Sequence, residues 1–181
     1  MNGNLLCVHT FKDLIEFAVL AIPWFITFFY GMINGGHIVA LIIWIPLAIF
    51  FFIYFEALVL CRHCPHYAEQ GKTLRCHANY GLPKIPKINP RSLSRIEQIS
   101  WLLYIAILFL SFIPFYIIAQ QWLLLAINLV FTFTLVIGLL KTKCNRCYNL
   151  SCPFNRTPSD VREKFFQYYP IFAQARQKMK K

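Results

Sequence analysis

The sequence is poor in acidic residues and in interruptions to its hydrophobic runs. Only 7 Asp and Glu stand against 18 Lys and Arg, which gives a formal net charge of +11 in 181 residues. Hydrophobic residues make up 58% of the chain, above the roughly 45 to 50% that is typical of soluble domains. This excess indicates a protein of the lipid bilayer, and the length leaves room for one domain.

The chain also lacks several sequence signals that would indicate other functions. Its first residues, MNGNLLCVHTFKDL, do not combine a basic segment, a short apolar core and a small-residue cleavage site, so we expect the first apolar run to remain as an anchor. No phosphate-binding motif and no hydrolytic nucleophile motif is evident. Because the basic residues flank apolar runs, the expected partner is a bilayer with anionic headgroups and not nucleic acid.

Four apolar runs are each long enough to cross the hydrocarbon core, which takes a helix of about 20 residues. They lie at 14–33, 38–60, 99–119 and 122–140. Uninterrupted runs of this length lack the alternation of a barrel strand, and a helix satisfies its own backbone groups in lipid. The sequence therefore predicts an all-α integral membrane protein with four transmembrane helices.

The connections within each pair of runs contain no basic residue. They are the tight turn from Asn34 to His37, with sequence NGGH, and the pair Gln120 and Gln121, so we predict two helical hairpins. Lys12, seven basic residues between 62 and 95 and ten between 141 and 181 account for all 18. Since basic residues of short loops stay in the cytoplasm, we predict a multi-pass protein of the inner or plasma membrane with both termini cytoplasmic.

The predicted organisation has five segments. They are a cytoplasmic N-terminus at 1–13, hairpins at 14–60 and 99–140, a cytoplasmic Cys/His-rich loop at 61–98, and a basic, Cys-containing cytoplasmic tail at 141–181. In the tail, Thr157 and Pro158 predict the start of an interfacial helix, with Val161, Phe165 and Tyr168 on one face.

Local signals refine the spans. Thr10 precedes Asp13 by three residues, and Ser94 precedes Glu97 by three, so both pairs predict helix N-termini. Pro114 is expected to bend the third helix because proline removes a backbone donor.

Cysteine is absent from the tight turns and is concentrated beside the predicted cytoplasmic helix ends. Six of the seven cysteines form two triplets, Cys61, Cys64 and Cys76, and Cys144, Cys147 and Cys152. In a reducing cytosol such groups are more often metal ligands or redox thiols than disulfides. Two residues between cysteines let both sulfurs reach one ion from a single turn. We therefore predict a metal site.

Separate and shared sites are both consistent with the spacing. The first triplet could form a zinc shell with one histidine, chosen from His63, His66 and His77. The second triplet has no histidine nearby and would need a ligand such as His9 or a carboxylate. A shared or closely adjacent site at the ends of helices two and four removes this shortage and would tie the two hairpins together, so we favour it. Zinc is favoured over an iron–sulfur cluster, and redox thiols without metal rank third.

Two polar residues within the spans are further candidates. Glu56 lies about one and a half helical turns before Cys61, and a carboxylate at that depth is a candidate proton relay, ion ligand or partner of a basic side chain. The alternative is a carboxylate that reaches the cytoplasmic interface. Asn128 is expected to form hydrogen bonds between helices.

In architecture the chain resembles the membrane subunits of quinol dehydrogenases, which combine four spans with cytoplasmic cysteine clusters. This resemblance implies an iron–sulfur subunit that exchanges electrons with a membrane quinone, although the repeated cluster motifs of those subunits are missing here. Quinone-linked disulfide-forming enzymes place cysteines in the two turns that contain none here. The spans also hold few polar residues, which disfavours a transporter.

The sequence therefore predicts a structural or assembly component with a cytoplasmic metal site, which is not an enzyme on its own. The alternative is the electron-transfer subunit, and other membrane subunits or a quinone are its expected partners.

Overall fold

The computed structural model describes residues 10–68, 71–76 and 79–180, with side chains up to residue 175. The described chain is 70% helical and contains no strand, which confirms the all-α prediction. Its helices are α1 (Phe11–Asn34), α2 (Ile38–Phe50), α3 (Glu56–Val59), α4 (Pro65–Ala68), α5 (Arg95–Leu110), α6 (Phe112–Ile118), α7 (Trp122–Thr142), α8 (Ser159–Tyr168) and α9 (Pro170–Lys180).

Four helical segments are long and apolar enough to cross a membrane, as predicted. They are Phe11–Asn34, Ile38–His63, Arg95–Ile118 and Trp122–Thr142. The largest difference from the predicted bounds is in the third segment, which begins at Arg95 and not at residue 99. The reason is that the cap at Ser94 starts the helix before the apolar run begins.

Both predicted N-terminal caps are present. The Thr10 backbone N–H donates to Asp13 Oδ2 at 2.8 Å. The Ser94 N–H donates to Glu97 Oε2 at 2.8 Å, and the Glu97 N–H donates back to Ser94 Oγ at 3.3 Å. These reciprocal bonds satisfy backbone donors that a helix start leaves without partners.

The second and third spans are each interrupted. Phe51–Phe55 form a π-helical turn between α2 and α3, and such a turn changes the direction in which the following side chains point. In the third span, Ser111 separates α5 from α6. Pro114 lies three residues further on and has no backbone N–H to donate to the Leu110 carbonyl, which explains the break.

The interior of the bundle is aromatic, with a buried polar network. The most extensive helix packing joins α1 to α7, and α6 also packs against both. Asn128 is 0% exposed; it accepts from Thr27 Oγ1 at 2.6 Å and donates to Tyr116 Oη at 3.0 Å. Tyr116 Oη donates to the Thr27 carbonyl at 2.8 Å. Asn128 therefore links helices, as predicted.

The tail is helical beyond Pro170, and α8 begins one residue later than its predicted start. Pro158 occupies the N-cap position, because the Thr157 hydroxyl donates to the Cys147 carbonyl at 2.8 Å. Phe165 is buried, whereas Tyr168 is 59% exposed. The two side chains therefore differ in exposure, and the interfacial position of α8 stays a prediction.

Candidate functional site

The end of the bundle at which the cysteines lie is held together by bonds between distant parts of the chain. Lys143, just after α7, donates to Asp13 at 2.6 Å and to Glu16 at 2.5 Å in α1. The Asn149 side chain donates to the Leu60 carbonyl, at the end of the second span, at 3.0 Å. The segment after the fourth span therefore contacts both the first span and the second.

A cavity of about 350 Å³ lies at this end of the bundle. All six cysteines of the two triplets line it, namely Cys61, Cys64, Cys76, Cys144, Cys147 and Cys152. Two triplets that are far apart in sequence thus share one cavity. The wall continues along α5 and α7 into the depth of the spans, where it is apolar.

Short turns after the second and fourth spans position the two cysteine pairs. A 3-10 turn at Cys61–His63 follows α3, and the Cys64 N–H donates to the Cys61 carbonyl at 2.9 Å. After α7, the Cys144 N–H donates to the Leu139 carbonyl at 2.9 Å. The first pair therefore begins in the last turn of the second span, and the second pair begins just after the fourth span.

Once ionised, thiols of the two triplets would repel one another. Cys61 interacts with Cys76 and Cys147, and Cys144 and Cys152 both interact with Cys76. Burial raises the pKa of the Cys144 thiol, and it raises the pKa of Cys152 to about 12. Without a bound cation both groups are neutral thiols at pH 7 and are therefore poor nucleophiles.

Glu56 is directed into the cavity and not towards solvent. It follows the π-helical turn and is 7% exposed. Asn79 donates one hydrogen bond to Glu56 Oε2 at 3.0 Å and a longer one to Cys61 Sγ at 3.5 Å. The carboxylate thus has a place beside the cysteines, which favours the interpretation of Glu56 as part of the site over that of an interfacial carboxylate.

The candidate histidines differ in position. His66 is 5% exposed and lines the cavity. The His63 ring bonds to the Arg91 carbonyl at 3.0 Å and lies 3.5 Å from Glu97, and His63 does not line the cavity. This placement favours His66 over His63 as the partner of the first triplet. Two histidines named from the sequence, His77 and His9, lie outside the described part of the chain, as does the seventh cysteine, Cys7.

Two residues of the cavity wall carry no sequence signal and were missed. Asn79 is 3% exposed and Trp101 is 4% exposed. Asn79 reaches the cavity because the middle loop folds back on itself, with the Leu74 N–H donating to the Leu82 carbonyl at 2.8 Å. Trp101 lies near the start of the third predicted span, and hydropathy there gives no sign of a cavity. The fold of the loop places Asn79 in the cavity wall, and the rotation of α5 about its axis places Trp101 there.

Within the described ranges, no three Cys, His, Asp or Glu side chains lie close enough together to hold a metal ion. The cysteine side chains therefore line the cavity without converging on a single position that an ion could occupy. Comparisons with protein-family models, with curated proteins and with solved structures found no match to this chain.

Proposed function

We propose that this protein is a structural or assembly component of the inner or plasma membrane, in which a shared cysteine metal site ties two helical hairpins together at the cytoplasmic face. The supporting observation is that both cysteine triplets line one cavity. The contacts of Lys143 and Asn149 bring the segments that carry the triplets to the same end of the bundle.

Zinc is the metal of this proposal. Cys61 and Cys64 would supply two sulfurs, and Cys144 and Cys147 the other two. Zinc–sulfur bonds are about 2.3 Å long, so the side chains would have to rotate inwards from their present positions around the cavity. Cys76, Cys152, His66, His63 and His77 are alternative ligands. Binding would displace the protons that burial keeps on the thiols, so metal affinity would rise with pH.

The cytoplasmic orientation is part of the proposal and depends on the basic residues. All 18 lie outside the two tight turns, and positively charged flanks remain on the cytoplasmic side. The basic residues near the span ends would contact anionic headgroups. A reducing cytosol would also keep the cysteines available as ligands.

An iron–sulfur electron-transfer subunit is the second candidate, and the cavity itself favours it. Four sulfurs around one zinc ion leave no space between them, whereas a cluster of several iron and sulfide atoms would occupy part of the cavity. The apolar wall along the spans would let a membrane quinone approach the cluster. Both candidates use the same cysteines and differ in the metal.

Metal content and the absorption spectrum of protein purified in detergent without oxygen test the proposal. Zinc without colour would support the structural site, whereas iron, sulfide and a broad visible absorption band would support the second candidate. Cys64→Ser and Cys147→Ser should each lower metal content and thermal stability together. Cys7→Ser is the matched control because it removes a cysteine outside both triplets. Protein with no metal, or normal metal content in both triplet variants, would overturn the proposal.

A further inference from the structure

The cavity is longer than the cysteine site needs. On α5 its wall runs from Trp101 to Leu110, a distance of about 14 Å at 1.5 Å per residue. On α7 it runs from Thr132 to Leu140. The cavity therefore has a polar end at the cysteines and an apolar end within the bilayer. Its volume of about 350 Å³ is at the small end of the range for ligand sites.

The buried polar atoms of the cavity wall include two, on Trp101 and Asn79, that have no hydrogen-bond partner among the described residues. They are the indole N–H of Trp101, which is a donor, and Oδ1 of Asn79, which is an acceptor. Native structures rarely leave such atoms without partners, since the loss of hydration is costly. A ligand that carries both an oxygen acceptor and a hydroxyl donor would satisfy the two atoms.

The rest of the wall restricts the chemistry of that ligand. Among the side chains that the structure describes, no Lys or Arg lines the cavity, and Glu56 does, so these side chains offer an anionic lipid headgroup no cation to pair with. Several aromatic side chains line it, namely Phe17, Phe52, Trp101, Phe109 and Phe154. Aromatic walls favour a planar ring through stacked or edge-on contacts. A saturated acyl chain would leave the two polar atoms without partners.

We propose that this cavity binds the head ring of a neutral, lipid-soluble quinone or quinol. Trp101 donates a hydrogen bond to a ring oxygen, and Asn79 accepts one from a quinol hydroxyl. The tail of the ligand runs between α5 and α7 into the bilayer. The site deepens the second candidate function by naming the residues that hold the ring, and ring binding itself requires no metal.

Equilibrium binding of a tritiated short-chain benzoquinone, and of its quinol, to protein in nanodiscs of zwitterionic phospholipid tests the proposal. We expect saturable binding that Trp101→Phe weakens about fivefold, the effect of one lost hydrogen bond. Trp122→Phe is the matched control, because Trp122 is 58% exposed and lies at the opposite end of the bundle. Trp101→Phe should retain the metal content of the parent protein, which separates this test from that of the metal site.

A second pair of variants tests the same cavity if the Trp101→Phe protein does not fold. Ala106→Phe places a ring inside the cavity, since Ala106 lines it, and should abolish binding. Leu123→Phe adds a ring at a position that is 75% exposed and should not change binding. Three results would overturn the proposal: no saturable binding, equal competition by a straight-chain fatty alcohol, or equal affinities of the Trp101→Phe and Trp122→Phe variants.

Discussion

Lys143 Nζ lies 2.6 Å from Asp13 Oδ1, although 130 residues separate them in the chain. The lysine is 1% exposed and also bonds to Glu16 at 2.5 Å. The ion pair joins the first turn of α1 to the residue that follows α7, so it closes the bundle between its first and last spans. Removing one of these two carboxylates is costly because the buried ammonium then keeps only part of its compensating charge.

Asp13→Asn should therefore destabilise the protein. Asparagine preserves a side-chain acceptor for the helix cap but removes one of the two negative charges that face Lys143. We expect a loss of about 1–3 kcal/mol, with a fall in the thermal midpoint of roughly 2–4 °C for each kcal/mol. Asp160→Asn, an exposed change in the first turn of α8, is the control. Equal midpoints for the two variants in detergent would contradict the prediction.

The membrane class and the four spans could be predicted because lipid imposes one rule on any spanning segment. Long apolar runs must be helical, and caps such as Ser94 with Glu97 mark where they begin. The partner of Lys143 could not be predicted in this way. Counting charges assigns Lys143 to a basic tail, whereas its bond to Asp13 depends on the packing of α1 against α7, which are not neighbours in sequence.

The sequence identifies the cysteines of the candidate site, but it does not indicate which other residues form the cavity wall. Cys61 and Cys144 carry a spacing signal, since paired sulfurs suit a metal. Asn79 and Trp101 carry none, because hydropathy does not encode how a helix is rotated or how a long loop folds. The π-helical turn before Glu56 likewise has no sequence signature, yet it precedes the carboxylate that lines the cavity.

Gly31→Ala should destabilise the bundle through a specific collision. A Cβ at this position would overlap the ring and hydroxyl of Tyr116, and overpacking of this kind costs about 1–3 kcal/mol. Gly138→Ala is the control, because its Cβ would lie 3.0 Å from the end of the flexible Leu20 side chain, which can move. The thermal midpoint in detergent measures both effects.

A double-mutant cycle tests whether Tyr116 causes the loss. The effect of Gly31→Ala should be smaller in a Tyr116→Leu background, because the shorter side chain removes the collision, so the two changes should not be additive. Additive losses would show that the collision with Tyr116 is not the cause.

Cys152 in metal-depleted, folded protein should react unusually slowly with iodoacetamide near neutral pH. Burial raises the pKa of Cys152 to about 12, whereas the pKa of an ordinary thiol is about 8.5. Only the thiolate reacts with the reagent. The rate should continue to rise between pH 9 and about 12. A raised thiol pKa also means that its contribution to stability is complete below the unfolded pKa and is lost as pH increases towards the folded one.

Mass spectrometry of the peptide that contains Cys152 gives this rate at each pH. The same protein unfolded in detergent and denaturant is the control, and its rate should level off near pH 8.5 or so. A folded-state rate that levels off at the same pH as the unfolded control would contradict the raised pKa.

The proposed orientation predicts that a membrane-impermeant amine reagent labels no lysine of this chain in intact cells that carry it in the inner or plasma membrane. Labelling of Lys87 and Lys141 should require lysis, because both lie in segments expected to be cytoplasmic. Asn34→Lys is the positive control; Asn34 is the last residue of α1 and is exposed, so a lysine there should be labelled without lysis. Labelling of Lys87 or Lys141 in intact cells, with Asn34→Lys protected, would reverse the orientation and place the cysteines on the oxidising side, where disulfides are expected in place of a metal site.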